Sequence, residues 1–489
     1  MEDSFYWYDL ETTGKNPKWD RIVQFAGIRT DRDLSPLGDP DYFFIKLADD
    51  VLPSPEATLI TGITPAMANS KGISELEAVS RIDKIFSKPK TCVVGFNSLR
   101  FDDEFIRYTF YRSLYDPYSR EYKNENSRWD IIDLVRAMRA LRPEGLIWPD
   151  DDNGLPVYKL EILSETNHLD HNSAHDALSD VEATIGLARL IKEKQPKLFS
   201  YYLGLRRKER LLGLLEPCGE KILVHISAHY PRTQYCLAPI ISIVKNPHNK
   251  NSIVTVDLSK DIDVLLDLSV DEIRSRFYDR DQSHELPLSE IRINRSPFVA
   301  DLSVLTPENW SRLQLNKDLI LERRARLSEH DIQVKLKEAF KERERPSTPD
   351  DPDGALYDGF ISNDDRARCE SFIRRVGENI WEDFDFNDPR LKVLAQRIKG
   401  RNILGDLKPE ERQDWSDFVV EKFLSSDGPW LTSNKFIASW KNALEKTKIK
   451  YGDSYLASKD MELLQLLAEY YNDLMLRYGI SGNIDHTRK

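Results

Sequence analysis

The sequence predicts an α/β domain, followed by a small β-rich domain and an all-helical domain. Strand-like and helix-like segments alternate from residue 4 to about residue 195, which is typical of an α/β domain. Short β-branched segments separated by turn residues fill 222–300, and helical patterning fills 356–480. A Pro-, Asp- and Gly-rich stretch without periodicity, 345–355, predicts a linker. We therefore expect three domains, over 1–198, 199–345 and 356–480.

The individual elements follow from the period of the apolar residues and from the turn residues between them. The first strand is predicted within 4–14 and ends at a turn formed by Thr12, Thr13 and Gly14. Further strands are predicted over 21–30, 41–47 and 91–97, and the first three strands of the chain are expected to form an antiparallel meander. Helices are predicted within 59–72, over 74–88, from Phe101 onward and over 172–199, the last with Ser173 as its N-cap. In the β-rich domain, strands are predicted over 221–227, 234–244, 252–259 and 291–300, followed by a basic helical segment over 315–344.

Composition narrows the class of protein. At 489 residues the chain is too long for one hydrophobic core, and its net charge of −12 and mean hydropathy of −0.53 are typical of a globular protein in water. It has no apolar run long enough for a membrane span, and its first residues lack the pattern of a secretory signal. The four cysteines form no CxxC pair, which argues against a zinc site and for a reducing cytoplasm. The negative charge does not by itself indicate a nucleic-acid partner, although a local basic groove beside an acidic site would allow one.

Asp9 and Glu11 lie at the end of the first predicted strand, SFYWYDLETTG (4–14). Because a strand directs every second side chain to the same face, the two carboxylates should project side by side. Neighbouring carboxylates repel, so a cation is expected between them, and Mg²⁺ and Mn²⁺ are hard ions that prefer oxygen ligands. On its own, the Asp-x-Glu pattern is common and favours an ordinary polar strand end.

A second acidic pair, Asp102 and Asp103, opens an amphipathic helix within GFNSLRFDDEFIRYTF (95–110). Acidic residues are common in the first turn of a helix, where they interact favourably with its dipole. The dipole does not explain why an apolar strand delivers this pair directly after Gly95 and Asn97. The residues alone therefore leave a helix-start role and a site role both open.

His175 and Asp180 lie at the start of the predicted helix 172–199. Five residues along a helix rotate by roughly 140°, so the two approach one point only if His175 leans inward from a frayed helix start. A single His in such a place is more often an ordinary surface residue. The carboxylate on the same segment and the two acidic clusters upstream favour a joint site.

The ordered set Asp9, Glu11, Asp102, His175 and Asp180 resembles the signature of the DEDDh exonuclease family. A wider set of motifs resembles the bacterial exonuclease I family. These motifs are GFNSLRFDDE (95–104), YDPY (115–118), NSRWD (126–130), ALRPEG (140–145), NGLP (153–156) and AHDALSDV (174–181). The resemblance implies a ribonuclease H-like first domain, an SH3-like β-rich domain and a helical C-terminal domain. It also implies degradation of single-stranded DNA from the 3′ end to 5′-mononucleotides, in DNA repair and recombination.

The residue types fit this chemistry. Phosphodiester hydrolysis needs a nucleophile derived from water, neutralisation of the phosphoryl oxygens and help for the leaving 3′-oxygen, and two divalent ions roughly 3.5–4 Å apart supply all three. The implied ligands are Asp9, Glu11 and Asp180 for the first ion, and Asp9 with Asp102 for the second. Mg²⁺ is expected, with Mn²⁺ as the alternative. His175 is expected to take the proton from the attacking water. The family pattern assigns Asp102, and not the adjacent Asp103.

The aromatic and basic stretch YRSLYDPYSREYKNENSRW (111–129) predicts a face for a single strand, because bases stack on aromatic rings and phosphates pair with Arg and Lys. Lys159 is expected to meet a phosphate near the scissile bond, where the family tends to have Arg. Thr12 and Thr13, with Glu11, are expected to contact the terminal nucleotide. The other candidates for contacts with the strand are Arg107, Tyr118, Tyr122, Arg136 and Lys208. Any one of the tyrosines is equally compatible with a place in the core.

A protein partner also follows from the resemblance. Family members bind the acidic C-terminal tail of single-stranded DNA-binding protein, and Arg142 and Tyr201 match positions of that pocket. Asp301 and Thr306 stand where relatives carry a Gln and an Arg, and the loss of positive charge weakens the prediction. We expect a cytoplasmic monomer that acts on single-stranded DNA and does not associate with a membrane.

Two other classes of protein were weighed. A different DEDDh enzyme, such as a proofreading subunit or a ribonuclease, would share the motifs of the first 190 or so residues but not the two domains that follow. A binding protein on an inactive nuclease fold would have lost catalytic positions, whereas all five carry competent residues. Both alternatives are weaker than an exonuclease specific for single-stranded DNA.

Overall fold

The computed structural model describes residues 3–169, 176–216, 221–279, 281–341 and 351–484. Within these ranges an α/β region, a β-rich region and a helical region follow one another along the chain, in the predicted order. The described helices include none that combines the length and the apolar character needed to cross a lipid bilayer.

The α/β domain is built on one mixed sheet whose middle strand carries the first acidic pair. Its strands are β1 (Ser4–Thr12), β2 (Ile22–Thr30), β3 (Asp41–Phe44), β4 (Thr91–Gly95) and β5 (Ser127–Asp130). They lie in the order β3-β2-β1-β4-β5, with the predicted antiparallel meander on one side and parallel pairs β1–β4 and β4–β5 on the other. Because β1 is central and covered on both faces, its side chains are apolar almost without interruption until Asp9.

Helices cover both faces of this sheet. They are α1 (Pro55–Thr61), α2 (Pro65–Lys71), α3 (Glu75–Phe86), α4 (Asp102–Arg112), α5 (Ile132–Leu141), α6 (Leu160–Thr166), α7 (Ala177–Lys194), α8 (Pro196–Gly204) and α9 (Lys208–Leu215). On one face Trp7 packs in a core with Trp129 and the apolar side of α7, and on the other Tyr6 and Tyr8 pack against Phe86. The predicted turn and short helix of 59–72 are two short helices, each with Pro at its first position.

Two predicted helices are broken. The helix predicted over 172–199 begins at Ala177 with Asp176 as N-cap, not Ser173, and Pro196 separates α7 from α8. Proline cannot continue the preceding helix because it lacks the N–H and crowds the turn before it. The basic segment predicted over 315–344 is likewise divided into α13 (Lys317–Glu329) and α14 (Ile332–Ala339). Ser173 itself lies outside the described residues.

The β-rich domain is an antiparallel sheet of order β10-β6-β7-β8-β9. Its strands are β6 (Ile222–Ile226), β7 (Leu237–Lys245), β8 (Ser252–Asp257), β9 (Leu288–Arg292) and β10 (Phe298–Asp301). The single strand predicted over 291–300 is wrong, since a turn at Arg292–Arg295 and the following Pro297 divide it into the end of β9 and β10. The helices of this domain are α10 (Asp263–Asp267), α11 (Val270–Tyr278), α12 (Pro307–Arg312), α13 and α14.

The C-terminal domain is formed by α15 (Asn363–Gly377), α16 (Pro389–Asn402), α17 (Pro409–Leu424), α18 (Ser433–Tyr451) and α19 (Lys459–Arg477). Its cores are shared with the α/β domain: Leu52 packs among the side chains of α17–α19, and Tyr108 and Tyr111 of α4 pack against α15 and α16. The last residues of the linker predicted over 345–355 are packed in the structure. Asp353, Gly354 and Ala355 are buried between the two domains.

Candidate active site

The end of β1 brings together the carboxylates that the sequence singled out. Asp9 and Glu11 lie on β1, and Asp180 lies in the first turn of α7, which packs against β1 and β2. Carboxylate oxygens of the three residues lie within 4.8 Å of one another. Glu11 is buried and the other two are half-buried, so the cluster is open to solvent on one side. This arrangement offers hard oxygen ligands to a divalent cation.

The electrostatics of the cluster also fit a cation. Burial raises the pKa of Glu11 to about 9, and the charges of Asp180 and Asp102 contribute to the rise. Burial, followed by repulsion from Asp102 and Asp180, raises the pKa of Asp9 well above its usual value. Carboxylates so close together cannot all ionise without a compensating positive charge. A bound divalent ion would supply that charge and keep all of them deprotonated.

Asp102 and Asp103 are adjacent at the start of α4 but have different surroundings. Asp102 is buried close to Asp9, and its charge helps to raise the pKa of Asp9. Asp103 instead accepts hydrogen bonds from Arg120 at 2.6 Å and from Arg128. These arginines outweigh the effect of burial and lower the pKa of Asp103. The geometry therefore supports Asp102 as the carboxylate that faces the site.

The position of α7 depends on Gln24, a residue that the sequence did not single out. Gln24 lies directly opposite Glu11 in the β1–β2 register and is 2% exposed. Its Oε1 accepts from the backbone N–H of Ala177 at 3.1 Å, and its Nε2 lies 3.4 Å from Asp176 Oδ2. Asp176 caps α7 and also accepts from the hydroxyl of Tyr42 at 3.0 Å. These contacts fix the start of the helix that carries Asp180.

We expect Gln24→Leu to lower kcat about tenfold, in the range seen when residues that orient metal ligands are replaced. Leucine keeps the volume but removes the acceptor for Ala177, so Asp180 is no longer held against β1. Steady-state hydrolysis of a single-stranded oligonucleotide measures the effect. The matched control is Gln195→Leu at the other end of α7, where the side chain donates only to the carbonyl of Glu144 at the surface. Equal kcat in Gln24→Leu and wild type would contradict the assigned role.

His175 lies outside the described residues. Its predicted role as the proton acceptor therefore stays a prediction.

Arg107, for which the sequence predicts a contact with the strand, makes ion pairs within the protein itself. Its guanidinium donates to Glu121 at 2.8 Å and to Glu104 at 2.8 Å, and it is 6% exposed. The ring of Tyr118 lies 5.4 Å from the Arg107 guanidinium carbon, and the hydroxyl of Tyr357 donates to Glu104 at 2.7 Å. The charge of Arg107 is thus balanced by carboxylates of the protein, and its predicted contact with the strand stays a prediction.

Arg136 is also buried, and it pairs with Asp133 at 2.6 Å. Its predicted contact with the strand stays a prediction. Sequence reasoning missed both pairings, although Glu104 and Asp133 each lie three residues before the arginine on the same helix, a spacing at which oppositely charged side chains pair.

The remaining predicted contacts are accessible or adjoin the acidic cluster. Tyr122 is 62% exposed, Lys159 is exposed beside Glu161, and the ammonium of Lys208 donates to Asn251 at the surface at 2.9 Å. Thr12 and Thr13 are buried directly after Glu11. The Thr12 hydroxyl donates to the carbonyl of Gly14 at 2.7 Å, and the Thr13 hydroxyl accepts from the N–H of Arg21 at 2.9 Å.

Arg142 and Tyr201 lie where α5 and α8 meet the β-rich domain. Arg142 donates to the carbonyl of Val304 at 3.1 Å, and the hydroxyl of Tyr201 donates to the carbonyl of Val299 at 2.8 Å. Asp301 and Thr306 are N-caps, and their side chains accept hydrogen bonds from the backbone of the following turn or helix. The side chains of Arg142 and Tyr201 therefore both contact the β-rich domain, and positions 301 and 306 carry no positive charge.

Three protein-family models together match nearly the whole chain. The family described as "Exonuclease" matches residues 6–188, "Exonuclease I SH3-like domain" matches 206–342, and "Exonuclease I C-terminal domain" matches 350–474. These matches confirm the predicted nature of the three regions.

Two relatives match over almost their full length. The chain is 37% identical to exodeoxyribonuclease I of Escherichia coli (strain K12) over 482 residues, which are 97% of this chain and 99% of the relative. It is 38% identical to exodeoxyribonuclease I of Haemophilus influenzae over 475 residues, covering 96% of this chain and 98% of that protein.

Solved structures of the E. coli enzyme are similar in fold. The complex of E. coli exonuclease I with a dA16 oligonucleotide has a TM-score of 0.89 at 36% identity, covering 97% of this chain and 100% of that one. A zinc-bound form of the E. coli complex with single-stranded DNA has a TM-score of 0.88, and a structure of SSB and exonuclease I with the inhibitor CFAM has a TM-score of 0.86, each at 36% identity and the same coverage.

Proposed function

The chain belongs to the exodeoxyribonuclease I family and is a 3′-to-5′ exonuclease of single-stranded DNA, and we propose the following roles for its residues. The observation that carries these roles is the convergence of Asp9, Glu11 and Asp180 within 4.8 Å at the end of the central strand. The products are 5′-mononucleotides, and the cellular task is DNA repair and recombination.

The carboxylates would hold two Mg²⁺ ions, with Mn²⁺ as a substitute. Asp9, Glu11 and Asp180 would hold one ion, and Asp9 with Asp102 would hold the other. When bound, the ions supply charge neutralisation at the phosphoryl oxygens, activation of water and stabilisation of the leaving oxygen. The raised pKa values of Glu11 and Asp9 support this assignment, because they show carboxylates that require a cation to remain charged together.

The protein itself supplies proton transfer and orientation. His175 takes the proton from the attacking water, a task suited to a side chain that titrates near neutral pH. Thr12 and Thr13 adjoin Glu11 and contact the terminal nucleotide. Lys159 binds a phosphate beside the scissile bond through its ammonium charge. It lacks the bidentate hydrogen bonding that an arginine would provide.

The rest of the strand runs between the α/β domain and the two following domains. Tyr122 offers an exposed ring on which a base stacks. Tyr118, four residues earlier in the sequence, is half-buried. Lys208 adds positive charge at the surface. Arg107 and Arg136 are further proposed contacts of the strand, although each also pairs with a carboxylate three residues earlier on its own helix.

The acidic tail of single-stranded DNA-binding protein is the proposed protein partner, at the surface formed by Arg142 and Tyr201. Arg210 lies over the ring of Tyr201 at 5.1 Å and supplies a cation near a site where 301 and 306 offer none. The enzyme works as a cytoplasmic monomer, since one chain carries all the proposed catalytic residues.

The assignment is tested by digestion of single-stranded DNA that carries a label on its 3′-terminal nucleotide. We expect labelled mononucleotide to appear at once in Mg²⁺, no release after chelation, and restored release when Mn²⁺ is added. RNA of the same sequence and blunt duplex DNA serve as controls and should be degraded slowly. Equal degradation of RNA would favour a ribonuclease of the same fold, and release only of internal fragments would contradict exonuclease action.

A further inference from the structure

The loop between β1 and β2, Gly14–Asp20, follows directly on the residues proposed to contact the terminal nucleotide. Its two ends are joined, because the N–H of Thr13 donates to the carbonyl of Arg21 at 2.8 Å and the N–H of Arg21 donates to the Thr13 hydroxyl at 2.9 Å. Any displacement of Arg21 is therefore transmitted to Thr13. A β-bulge between Glu11 and Thr12 marks the place where the regular register of the strands ends.

The side chain of Arg21 extends from the end of this loop and contacts the C-terminal domain. It is buried, donates to the carbonyl of Trp19 at 2.9 Å and reaches Asp353 at 3.3 Å. Asp353 is shared with Arg401 of α16. Arg401 also donates to Asp50 at 2.7 Å.

Other buried charges complete this group. Lys422 of α17 donates to Asp50 at 2.9 Å, and Arg397 of α16 lies 3.5 Å from Asp353. We refer to Arg21, Asp50, Asp353, Arg397, Arg401 and Lys422 as the interdomain ion cluster. Burial alone would raise the pKa of Asp50, but Arg401 and Lys422 outweigh it and lower that pKa. The cations thus favour the charged form of Asp50, and such networks are strongly dependent on geometry because each unpaired buried charge is costly.

Packing around the same loop is close. A Cβ on Gly354 would lie 2.4 Å from the indole of Trp19, so the two surfaces touch with no spare room. Trp19 also packs edge-on against Trp430 of the C-terminal domain at 5.4 Å. From the opposite side, Arg112 of α4 donates to the carbonyls of Pro17 at 2.9 Å and Lys18 at 3.2 Å.

We propose that the C-terminal helical domain is a positioning element for the active site, which holds the Thr12–Thr13 turn through Trp19, Arg21 and the interdomain ion cluster. The inference rests on the proposed role of Thr12 and Thr13 at the terminal nucleotide. It gives this domain a task in every cleavage, in addition to any enclosure of a long strand. Gly354, Arg401 and Trp19 are positioning residues, since they act on the substrate only through the turn.

A trinucleotide separates this task from enclosure of the strand, because it is too short to use a channel beyond the active site. Gly354→Ala places a methyl group against Trp19 and displaces the loop. We expect KM for a single-stranded trinucleotide to rise about tenfold, since misplacement of binding groups by 1 Å costs up to about 100-fold. kcat should change less than KM, because the turn binds the ground state and the transition state alike. The affinity for Mn²⁺ without DNA, measured by calorimetry, should equal that of wild type.

The matched control is Gly359→Ala in the same segment, where a Cβ would meet nothing closer than Arg390 at 3.7 Å. It should leave KM, kcat and thermal stability unchanged. If Gly354→Ala fails to fold, Trp19→Phe decides, since it withdraws the atoms in contact with Gly354 and should raise KM severalfold.

Wild-type KM for the trinucleotide in a folded Gly354→Ala, or in Trp19→Phe where that variant decides, would overturn the inference. An equal rise in KM in Gly359→Ala would also overturn it. Failure of the exonuclease assignment would be recognised separately, because wild type itself would then release no mononucleotide.

Discussion

Asp180→Asn lowers the rate of hydrolysis in Mg²⁺ by more than about 100-fold, because even outer residues that orient a metal ligand are worth 10–100-fold. An amide carries no charge and is a poorer ligand for a hard cation than a carboxylate. Asp180 is the member of the cluster contributed by α7, so its loss leaves Asp9 and Glu11 without the third ligand.

The same substitution should raise the melting temperature of the metal-free protein. The charge of Asp180 contributes to the raised pKa of both Asp9 and Glu11, so its removal relieves repulsion in the folded state. Melting curves with and without Mn²⁺ measure this effect, and the added ion should stabilise wild type more than the variant. Glu182→Gln on the exposed side of α7 is the control and should change neither property. Rapid hydrolysis by Asp180→Asn in Mg²⁺ would remove Asp180 from the site.

The acidic cluster was predictable because the positions of its members follow from the secondary structure of short segments. Asp9 and Glu11 share a face through the period of a strand, and the start of a helix after an apolar strand places Asp102 near the same edge of the sheet. The separation of Asp102 from Asp103 was not predictable from their neighbours alone. It depends on Arg120 and Arg128, which reach Asp103 from a turn and from β5.

Gln24 shows a different limit of sequence reasoning. Its role follows from lying opposite Glu11, which is a property of the register between two strands. A polar amide inside the apolar strand IVQFAGIRT was the available signal, since buried amides normally have hydrogen-bond partners. The sequence does not reveal that the partner is the start of α7, more than 150 residues later.

The end of the predicted linker was misjudged for a similar reason. Pro, Asp and Gly are typical of linkers, yet Asp353 is buried because Arg21 and Arg401 converge on it from two domains. Gly354 is required there by the closeness of Trp19 and not by chain flexibility. Amino-acid composition indicates which local backbone structure a segment prefers. Whether a charged residue is buried depends on partners that are distant in sequence.

Asp102→Asn and Asp103→Asn should have opposite effects, although the residues are neighbours on α4. Asp102→Asn should abolish most activity and leave the fold at least as stable as wild type. Burial, with repulsion from Asp130 and Asp103, raises the pKa of Asp102. The charged form of Asp102 therefore destabilises the metal-free fold. Asp103→Asn should lower the free energy of unfolding by about 3–5 kcal/mol, as expected when one partner of a buried ion pair is removed. Arg120 and Arg128 would both lose the carboxylate of Asp103, although both also lie near Glu121.

The pH dependence of unfolding distinguishes the two variants further. Arg120 and Arg128 hold the pKa of Asp103 below its ordinary value. The stabilisation from Asp103 is therefore complete at neutral pH and is lost only as pH falls below about 4, towards the lowered pKa of the folded state. Urea unfolding of both variants between neutral and acidic pH, with hydrolysis measured at neutral pH, tests this. The stability deficit of Asp103→Asn should shrink as pH falls, because wild type loses the same interaction. If Asp103→Asn is as stable as wild type and inactive while Asp102→Asn hydrolyses DNA normally, the assignment of the two carboxylates is reversed.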